Sequence, residues 1–221
     1  MNSNRLQQDK LAVLKKLFTH FDTLSKDIDK VCSEGCCDCC TRNVTLSSLE
    51  AKYILSGLDI SQRDVILTRI LNERHKNYQI PKTTINQMAE ICMAGGELPE
   101  ECADPAWGSC PLLQDKRCMI YGLRPFACRS MVSKQECSLS GFADMDDYTV
   151  TLSNVFMQYI EHVDVGGYFG NLSDMLLFES GIEKYRTTIP SKNILLNRPI
   201  AMLMVTPEHR DKIAKVLDVI K

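Results

Sequence analysis

The chain lacks the features that would place it in a membrane or on nucleic acid. Its N-terminus has no apolar run of the kind found in a signal peptide, and eighteen consecutive apolar residues occur nowhere. The formal net charge is only −2, so the composition provides no broad cationic surface for a polyanion. These absences predict a cytoplasmic protein that does not span a membrane and does not bind nucleic acid.

Several catalytic motifs are also missing. The chain has no Gly-rich phosphate loop, no Gly-x-Ser-x-Gly elbow and no His-Glu-x-x-His sequence. Its four histidines are scattered without the spacing of metal ligands: His20, His75, His162 and His209. The corresponding enzyme classes are therefore set aside, and whether the protein is an enzyme at all stays open.

Length and composition predict one globular domain. The 221 residues are 44% hydrophobic and 24% charged, which is ordinary, and they suffice to bury a core without help from disulfides. We interpret residues 1–221 as a single domain. Within it, a cysteine-rich module covers approximately residues 30–140, and a C-terminal helical part covers approximately residues 141–221.

Cysteine is the residue type that is unusually abundant. Five of the eleven cysteines lie between Cys32 and Cys40, in the run Cys-Ser-Glu-Gly-Cys-Cys-Asp-Cys-Cys, where Gly35 permits a sharp turn. The reducing cytoplasm disfavours structural disulfides, whereas thiolates are soft donors for zinc and for iron in Fe–S clusters. A run this dense therefore predicts a metal centre rather than a set of packed thiols.

The spacing of apolar residues predicts a mainly α-helical fold. Apolar residues recur three and four positions apart from Leu6 to Val31, as on one face of a helix. Further helices are expected after the capping residues Ser47, Ser61 and Thr84, over residues 146–163, from Ser173 to Tyr185 and after Thr206-Pro207. We therefore expect helices that surround an irregular, cysteine-rich, metal-binding module.

Residues 94–140 lose the helical periodicity and are rich in Gly, Pro and Cys. A long irregular segment in a compact domain needs something to order it, and here bound metal would do so. Arg124 and Arg129 stand close to cysteines and would lower thiolate pKa values or form surface ion pairs. Cys92, just before this segment, is interpreted as a core thiol. The cysteines of the segment are Cys102, Cys110, Cys118, Cys128 and Cys137.

Taken together, these motifs resemble the YkgJ-type cysteine-cluster proteins, described as zinc- or iron-chelating domains. The resemblance covers roughly residues 30–135, with Cys37 where that family more often has glycine. It rests on Cys32-x3-Cys36-x2-Cys39-Cys40, Cys110-Pro-Leu-Leu, Cys118-x-Ile-Tyr121, Arg124-Pro125 and Cys128-Arg129. It implies that the metal ligands are Cys32, Cys36, Cys39, Cys40, Cys110, Cys118 and Cys128.

The resemblance also extends to the cysteine-rich part of flagellin lysine N-methylases. That likeness implies methyl transfer to protein lysine, but the chain has no separate signature for S-adenosylmethionine. The alternatives are thus a structural, redox or electron-transfer metal protein, a cluster-dependent enzyme, or a protein of metal storage or delivery. The partner or substrate is not identified by the sequence.

The cysteine count leaves the number and kind of metal sites open. A structural zinc site and a cubane Fe–S cluster each take four thiolates. Seven ligands plus one of Cys37, Cys102 or Cys137 would complete two sites, and four of the seven would complete one. Adjacent Cys39 and Cys40 are expected to point in different directions. The crowded first run with distant last cysteines favours an Fe–S cluster over zinc.

Overall fold

A computed structural model describes residues 3 to 218 of the chain, and α-helices account for most of its secondary structure. The predicted mainly α-helical class is confirmed. The α-helices are α1 Ser3–Leu24, α2 Ser48–Ser56, α3 Ile60–Glu73, α4 Ile85–Met93, α5 Phe126–Ser130, α6 Cys137–Ser140, α7 Asp147–Val163, α8 Leu172–Phe178, α9 Glu183–Arg186 and α10 Arg210–Leu217.

Short antiparallel strands join parts of the chain that are distant in sequence. The strands are β1 Thr45–Ser47, β2 Leu113–Gln114, β3 Arg117–Cys118, β4 Tyr168–Asn171 and β5 Ile194–Leu196. Strand β4 lies between β1 and β5, with Leu46 opposite Gly170 and Phe169 opposite Leu195. Strands β2 and β3 form a separate hairpin. Each strand is too short to produce a readable alternation, so none was predicted.

Side-chain caps fix the starts of several helices. Ser47 and Glu50 form both hydrogen bonds of a capping box at the start of α2, and Gly57 ends that helix, both as predicted. Thr84 caps α4 by accepting from the Gln87 amide, also as predicted. A Cβ at Gly57 would come within 2.6 Å of Leu123, so the glycine lets the cysteine-rich segment pack closely on α2.

Three predicted helix boundaries are wrong. The first helix ends at Leu24 rather than Val31, because the Val31 amide donates to the carbonyl of Ser133 (2.9 Å) and the chain is drawn away from the helix axis. Helix α3 begins at Ile60 under a capping box from Asp59, not at Ser61. The helix expected from Ser173 to Tyr185 is two short helices, because Gly181 turns the chain with φ of +78°.

Two clusters of buried apolar side chains form the interior. The first core is built mainly from α2, α3 and α8, and the second core mainly from α1 and α7 with Ile213 and Val216 of α10. The cysteine-rich segment is anchored in both: Leu112 and Ile120 are buried in the first core and Phe126 in the second. The cysteines on either side of these anchors are therefore held at the junction of the two cores.

Among residues 3 to 218, none of the helices has both the length and the apolar character needed to cross a membrane.

Candidate metal centre

One cavity collects all the cysteines that the sequence predicts as ligands. It has a volume of about 380 Å³ and lies where the turn after α1 meets the hairpin and α5. Its lining includes Cys32, Cys36, Cys39, Cys40, Cys110, Cys118 and Cys128. Residues separated by nearly a hundred positions in the chain thus share one concave surface.

The first cysteine run reaches the cavity through two successive turns. The Cys36 amide donates to the Ser33 carbonyl (3.1 Å), and Gly35 takes a φ of +99° that favours glycine. The Cys40 amide then donates to the Cys37 carbonyl (3.0 Å). These turns bring the residues on either side of Cys37 to the cavity, whereas Cys37 itself is not among the lining residues that the structure describes.

The hairpin and the residues just before it supply the next two thiols. The Cys110 amide donates to the Cys40 carbonyl (2.9 Å), which joins the hairpin directly to the first run. Cys118 follows on β3, paired with Leu113 of β2. Asp115 and Lys116 between the strands have φ of 49° and 62°, as a tight two-residue hairpin turn requires. The turn therefore fixes the positions of Cys110 and Cys118 relative to each other.

Helix α5 supplies Cys128. A Glu50 carboxylate oxygen accepts from the Phe126 amide (2.8 Å) at the start of this helix, and the other oxygen accepts from Ser47. Phe126 stacks on Phe156 with ring centroids 5.7 Å apart. The buried carboxylate and the buried ring together hold the short helix, and with it Cys128, at the wall of the cavity.

The two arginines of this region do different things. The Arg124 guanidinium lies 4.0 Å from the centre of the Tyr121 ring. Burial raises the pKa values of Cys118 and Cys128, and the positive charge of Arg124 opposes that rise. Its buried Nε has no hydrogen-bond partner among residues 3 to 218. Arg129 instead pairs with Asp22 (2.9 Å) and donates to the Gly122 carbonyl (2.8 Å). Both arginines therefore line the cavity, but the Arg129 charge is paired with Asp22, whereas the Arg124 charge lies beside the thiols.

The thiols differ widely in acidity. Burial raises the pKa of Cys110 to about 11, and it also raises that of Cys128, with further increases from neighbouring thiols. A hydrogen bond from Cys40 lowers the pKa of Cys39 to about 7 and raises that of Cys40. Cys39 and Cys40 both line the cavity at the turn over residues 37–40, so these adjacent cysteines share one concave surface.

The cavity fits an anionic, thiolate-held group in composition and size. A water molecule occupies about 30 Å³ in the liquid, so a cavity of about 380 Å³ exceeds what one ion needs. Lys30, Lys116 and Arg124 also line it, and they offset the negative charge of thiolate ligands. Within residues 3 to 218, no three Cys, His, Asp or Glu side chains are already arranged as ligands to an ion, so binding requires rotation of cysteine side chains.

The remaining cysteines lie in different surroundings. Cys92 is exposed on the last turn of α4, so its prediction as a core thiol is wrong. Cys102 is exposed and lines another pocket together with Trp107. Cys137 begins α6 and interacts electrostatically with Cys32. This last proximity was not predicted, because no regular spacing connects residues so far apart in sequence.

The histidines do not join the cavity in the part of the chain that the structure describes. Among the four histidines, His162 has the sequence neighbours that most suggested a role. Its Nδ1 accepts a hydrogen bond from the Ile200 amide (3.2 Å).

Comparison with known proteins gives no match to a family model, a curated protein or a solved structure. The resemblance to cysteine-cluster proteins therefore stays a prediction from the motifs.

Proposed function

We propose that the protein binds metal through the cysteines of this cavity, as an Fe–S cluster in preference to zinc, in a structural, redox or electron-transfer role. The observation that carries the proposal is the convergence of seven cysteines from two distant segments on one cavity. Ordinary core thiols are distributed through the apolar interior as small hydrophobic residues. In this protein the thiols are gathered beside the positively charged side chain of Arg124.

Charge supports a metal–thiolate centre. Four thiolates on Zn²⁺ or on an Fe–S core leave net negative charge, which is costly at a half-buried site without compensation. Arg124 interacts with Cys39, Cys118 and Cys128, and its Nε has no hydrogen-bond partner among the described residues. Neutral thiols would give the positive charge of Arg124 no charge of opposite sign, whereas thiolate ligands would balance it.

The size of the cavity favours a cluster of several atoms over a single ion. Zinc bound by four cysteines is closed by its own ligands and needs no free space around it. An Fe–S core adds iron and sulfide atoms between the same thiolates, so a larger opening suits it. Such a cluster would supply one-electron transfer.

The first experiment is elemental analysis with a visible spectrum on protein purified without air. We expect iron and acid-labile sulfide, with a brown colour that dithionite bleaches. A colourless protein that contains zinc would keep the metal function and replace the cluster by a structural ion. Protein that contains neither iron nor zinc, and takes up neither after reconstitution, would contradict the proposal.

Serine substitution assigns the metal to this cavity. Cys128→Ser removes a thiol from the cavity wall and is expected to reduce the bound metal by at least half. Cys92→Ser is the matched control, because Cys92 is exposed on α4 and does not line the cavity. Equal metal content in the two variants would place the metal elsewhere.

A cluster-dependent enzyme is the second candidate, and the apolar side of the cavity favours it. Leu112, Leu113 and Val132 line the cavity beside the thiols, and its volume lies in the range of small-molecule sites. The proposed activity is methyl transfer to protein lysine, as in the lysine N-methylases that the motifs resemble. Binding of S-adenosylmethionine measured by calorimetry tests this candidate, and absence of binding to metal-loaded protein would remove it.

A further inference from the structure

A side-chain carboxamide on the cavity wall has no hydrogen bond within the described structure. Asn43 lines the cavity, and its Oδ1 is covered by protein but has no partner among residues 3 to 218. Asn43 does bond to Thr41, but through its backbone amide, which donates to the Thr41 hydroxyl (3.3 Å). Because Oδ1 is covered, the NH₂ group is the half of the carboxamide that can reach the open space of the cavity.

The backbone holds this side chain in place from both directions along the chain. The Arg42 amide donates to the Gly108 carbonyl (3.2 Å), and the Arg42 carbonyl accepts from the Asn171 side chain (2.8 Å). On the other side, the Val44 carbonyl accepts from the Leu172 amide (2.8 Å). The fold therefore fixes where the carboxamide stands at the cavity, although no described residue bonds to it.

Two other asparagines show what an unpaired Oδ1 goes together with elsewhere in this protein. Asn193 and Asn197 each have a buried Oδ1 without a partner among the described residues. Their NH₂ groups are bonded, however: Nδ2 of Asn193 donates to Asp174 (2.8 Å), and Nδ2 of Asn197 donates to Asp164 (2.9 Å). An unpaired buried oxygen costs free energy, and bonds from the NH₂ group offset that cost. In Asn43 the bonds that could do so must come from the contents of the cavity.

A second unpaired donor lies at the same cavity. The Nε of Arg124 is buried and has no hydrogen-bond partner within residues 3 to 218, and Arg124 also lines the cavity. Asn43 follows the first cysteine run, whereas Arg124 precedes α5, so each cysteine segment brings a donor along with its thiols. Donors that support the ligands of a metal centre are expected beside those ligands.

We infer that Asn43 is a positioning residue of the metal centre, whose Nδ2 donates a hydrogen bond to a sulfur of that centre and thereby raises its reduction potential. Asn43 itself binds no metal. This inference rests on the proposed metal-binding function, and it adds a neutral side chain that regulates the centre.

The chemistry of sulfur determines which half of the carboxamide acts and in which direction. Metal-bound thiolates and the sulfides of a cluster carry no hydrogen, so they accept hydrogen bonds and suit the NH₂ group rather than Oδ1. Hydrogen bonds to the sulfurs are among the factors that set the potential of an Fe–S centre. A reduced centre carries one more negative charge than an oxidised one, so a donor hydrogen stabilises the reduced form more and raises the potential.

Potentiometric titration of two Asn43 variants, each loaded anaerobically with iron and sulfide, tests the inference. Asn43→Leu removes the donor at similar volume, and Asn43→Asp keeps the shape but replaces the NH₂ group by an acceptor oxygen. At the wild-type midpoint, the ratio of oxidised to reduced centre should rise about tenfold in Asn43→Leu, which is a shift of about 59 mV to lower potential for a one-electron couple. Asn43→Asp should shift further, because it also adds negative charge.

The zinc forms of the same variants are compared by competition with a chelator. Loss of a donor to a thiolate ligand should lower the affinity for Zn²⁺ by about tenfold or more. Asn72→Leu is the matched control, because Asn72 is exposed on α3 and does not line the cavity in the described structure. Its potential and its affinity should equal those of the wild type.

The outcomes separate failure of the inference from failure of the function. Unchanged potential and unchanged zinc affinity in the Asn43 variants would overturn the inference and leave the carboxamide bonded to water, while metal binding by the wild type would keep the proposed function. An equal shift in Asn72→Leu would overturn it as well. Wild-type protein that binds neither iron nor zinc would overturn both. Circular dichroism shows that the helices of each variant are formed, and the isosteric Asn43→Asp provides the test if Asn43→Leu does not fold.

Discussion

Arg124 and Arg129 lie five residues apart in one motif, and the structure gives them different partners. Arg129 is satisfied by Asp22 and by backbone carbonyls, whereas Arg124 faces Tyr121 and the thiols of the cavity. The sequence placed both near cysteines without separating their roles. The distinction depends on the directions of one side chain just before a five-residue helix and one within it, which spacing alone does not specify.

Removing the Arg124 charge is expected to weaken metal binding. Arg124→Gln should lower the affinity about 10- to 100-fold, the range observed when residues that support metal ligands are changed. The affinity is expected to fall because the substitution removes the positive charge near Cys39, Cys118 and Cys128. Competition with a chelator measures the affinity.

Arg117→Gln is the control for this change. It removes the same charge from an exposed position directly before Cys118. Its affinity should stay close to that of the unsubstituted protein. Equal losses in the two variants would mean that net charge, rather than the placement of Arg124, determines binding.

Cys92 illustrates a limit of prediction at this scale. Its position on an amphipathic helix indicated burial, but α4 buries only Asn86 and Ala89, and its last turn extends beyond the core. Burial at the end of a short helix depends on where the neighbouring helix stops. The seven cysteines predicted as ligands do share one cavity, and their role as ligands stays a prediction.

Among the elements, α5 depends on a hydrogen bond from outside itself. It has five residues, too few for a stable isolated helix, and Pro125 before it supplies no side-chain cap. The Glu50 carboxylate, at the start of α2, takes the place of a cap by accepting from the Phe126 amide. Helix α2 and Cys128 are thereby coupled.

Glu50→Gln is expected to destabilise the protein by about 1–3 kcal/mol, the cost of leaving a buried partner unsatisfied. The glutamine side chain keeps one acceptor oxygen, but its NH₂ group replaces the other. That group would face a backbone amide that is also a donor, so the hydrogen bond to that amide is lost. Chemical denaturation measures the free energy of unfolding. Glu90→Gln is the control, since it removes only the exposed ion pair with Arg198 and should cost about 0–1 kcal/mol. Similar losses in both variants would contradict a capping role for Glu50.

The predicted elements succeeded where the signal is local. Ser47 and Thr84 start helices because their side chains bond amides three residues onward, which a sequence displays directly. Strand β1 and the end of α1 were missed because each is determined by a distant partner, Asn171 for Thr45 and Ser133 for Val31. Such pairings are set by tertiary packing and leave no periodic pattern.

At the scale of the whole molecule, the cavity lies between two cores of buried apolar side chains. Within the described residues, the buried side chains of these cores include none of the predicted metal ligands. Most of the largest buried side chains, among them Phe21, Phe156 and Ile54, belong to helices that contribute no cysteine to the cavity. The convergence of the two cysteine segments between these cores was not predictable from spacing, because it follows from how α1, α2 and α7 pack.

Metal removal is therefore expected to loosen the site and leave the helical fold in place. A chelator should lower the melting temperature, because metal that binds only the folded state stabilises it. The far-UV circular dichroism spectrum should keep its helical shape, unlike that of zinc-finger peptides, which unfold without metal. A spectrum of unfolded chain after chelation would show instead that the two cores cannot hold the fold alone.

The separation of the two cysteine segments also affects how the site is made. Cys40 is synthesised about 90 residues before Cys128. At about 5–20 residues per second, the interval between them is roughly 5 to 18 seconds. Throughout that time the first run has several thiols together and lacks the hairpin and α5 that complete the cavity. For the proposed metal site, loading is therefore expected in the last stage of synthesis or after it, and until then the nascent first run is exposed to oxidants and to unspecific metal ions.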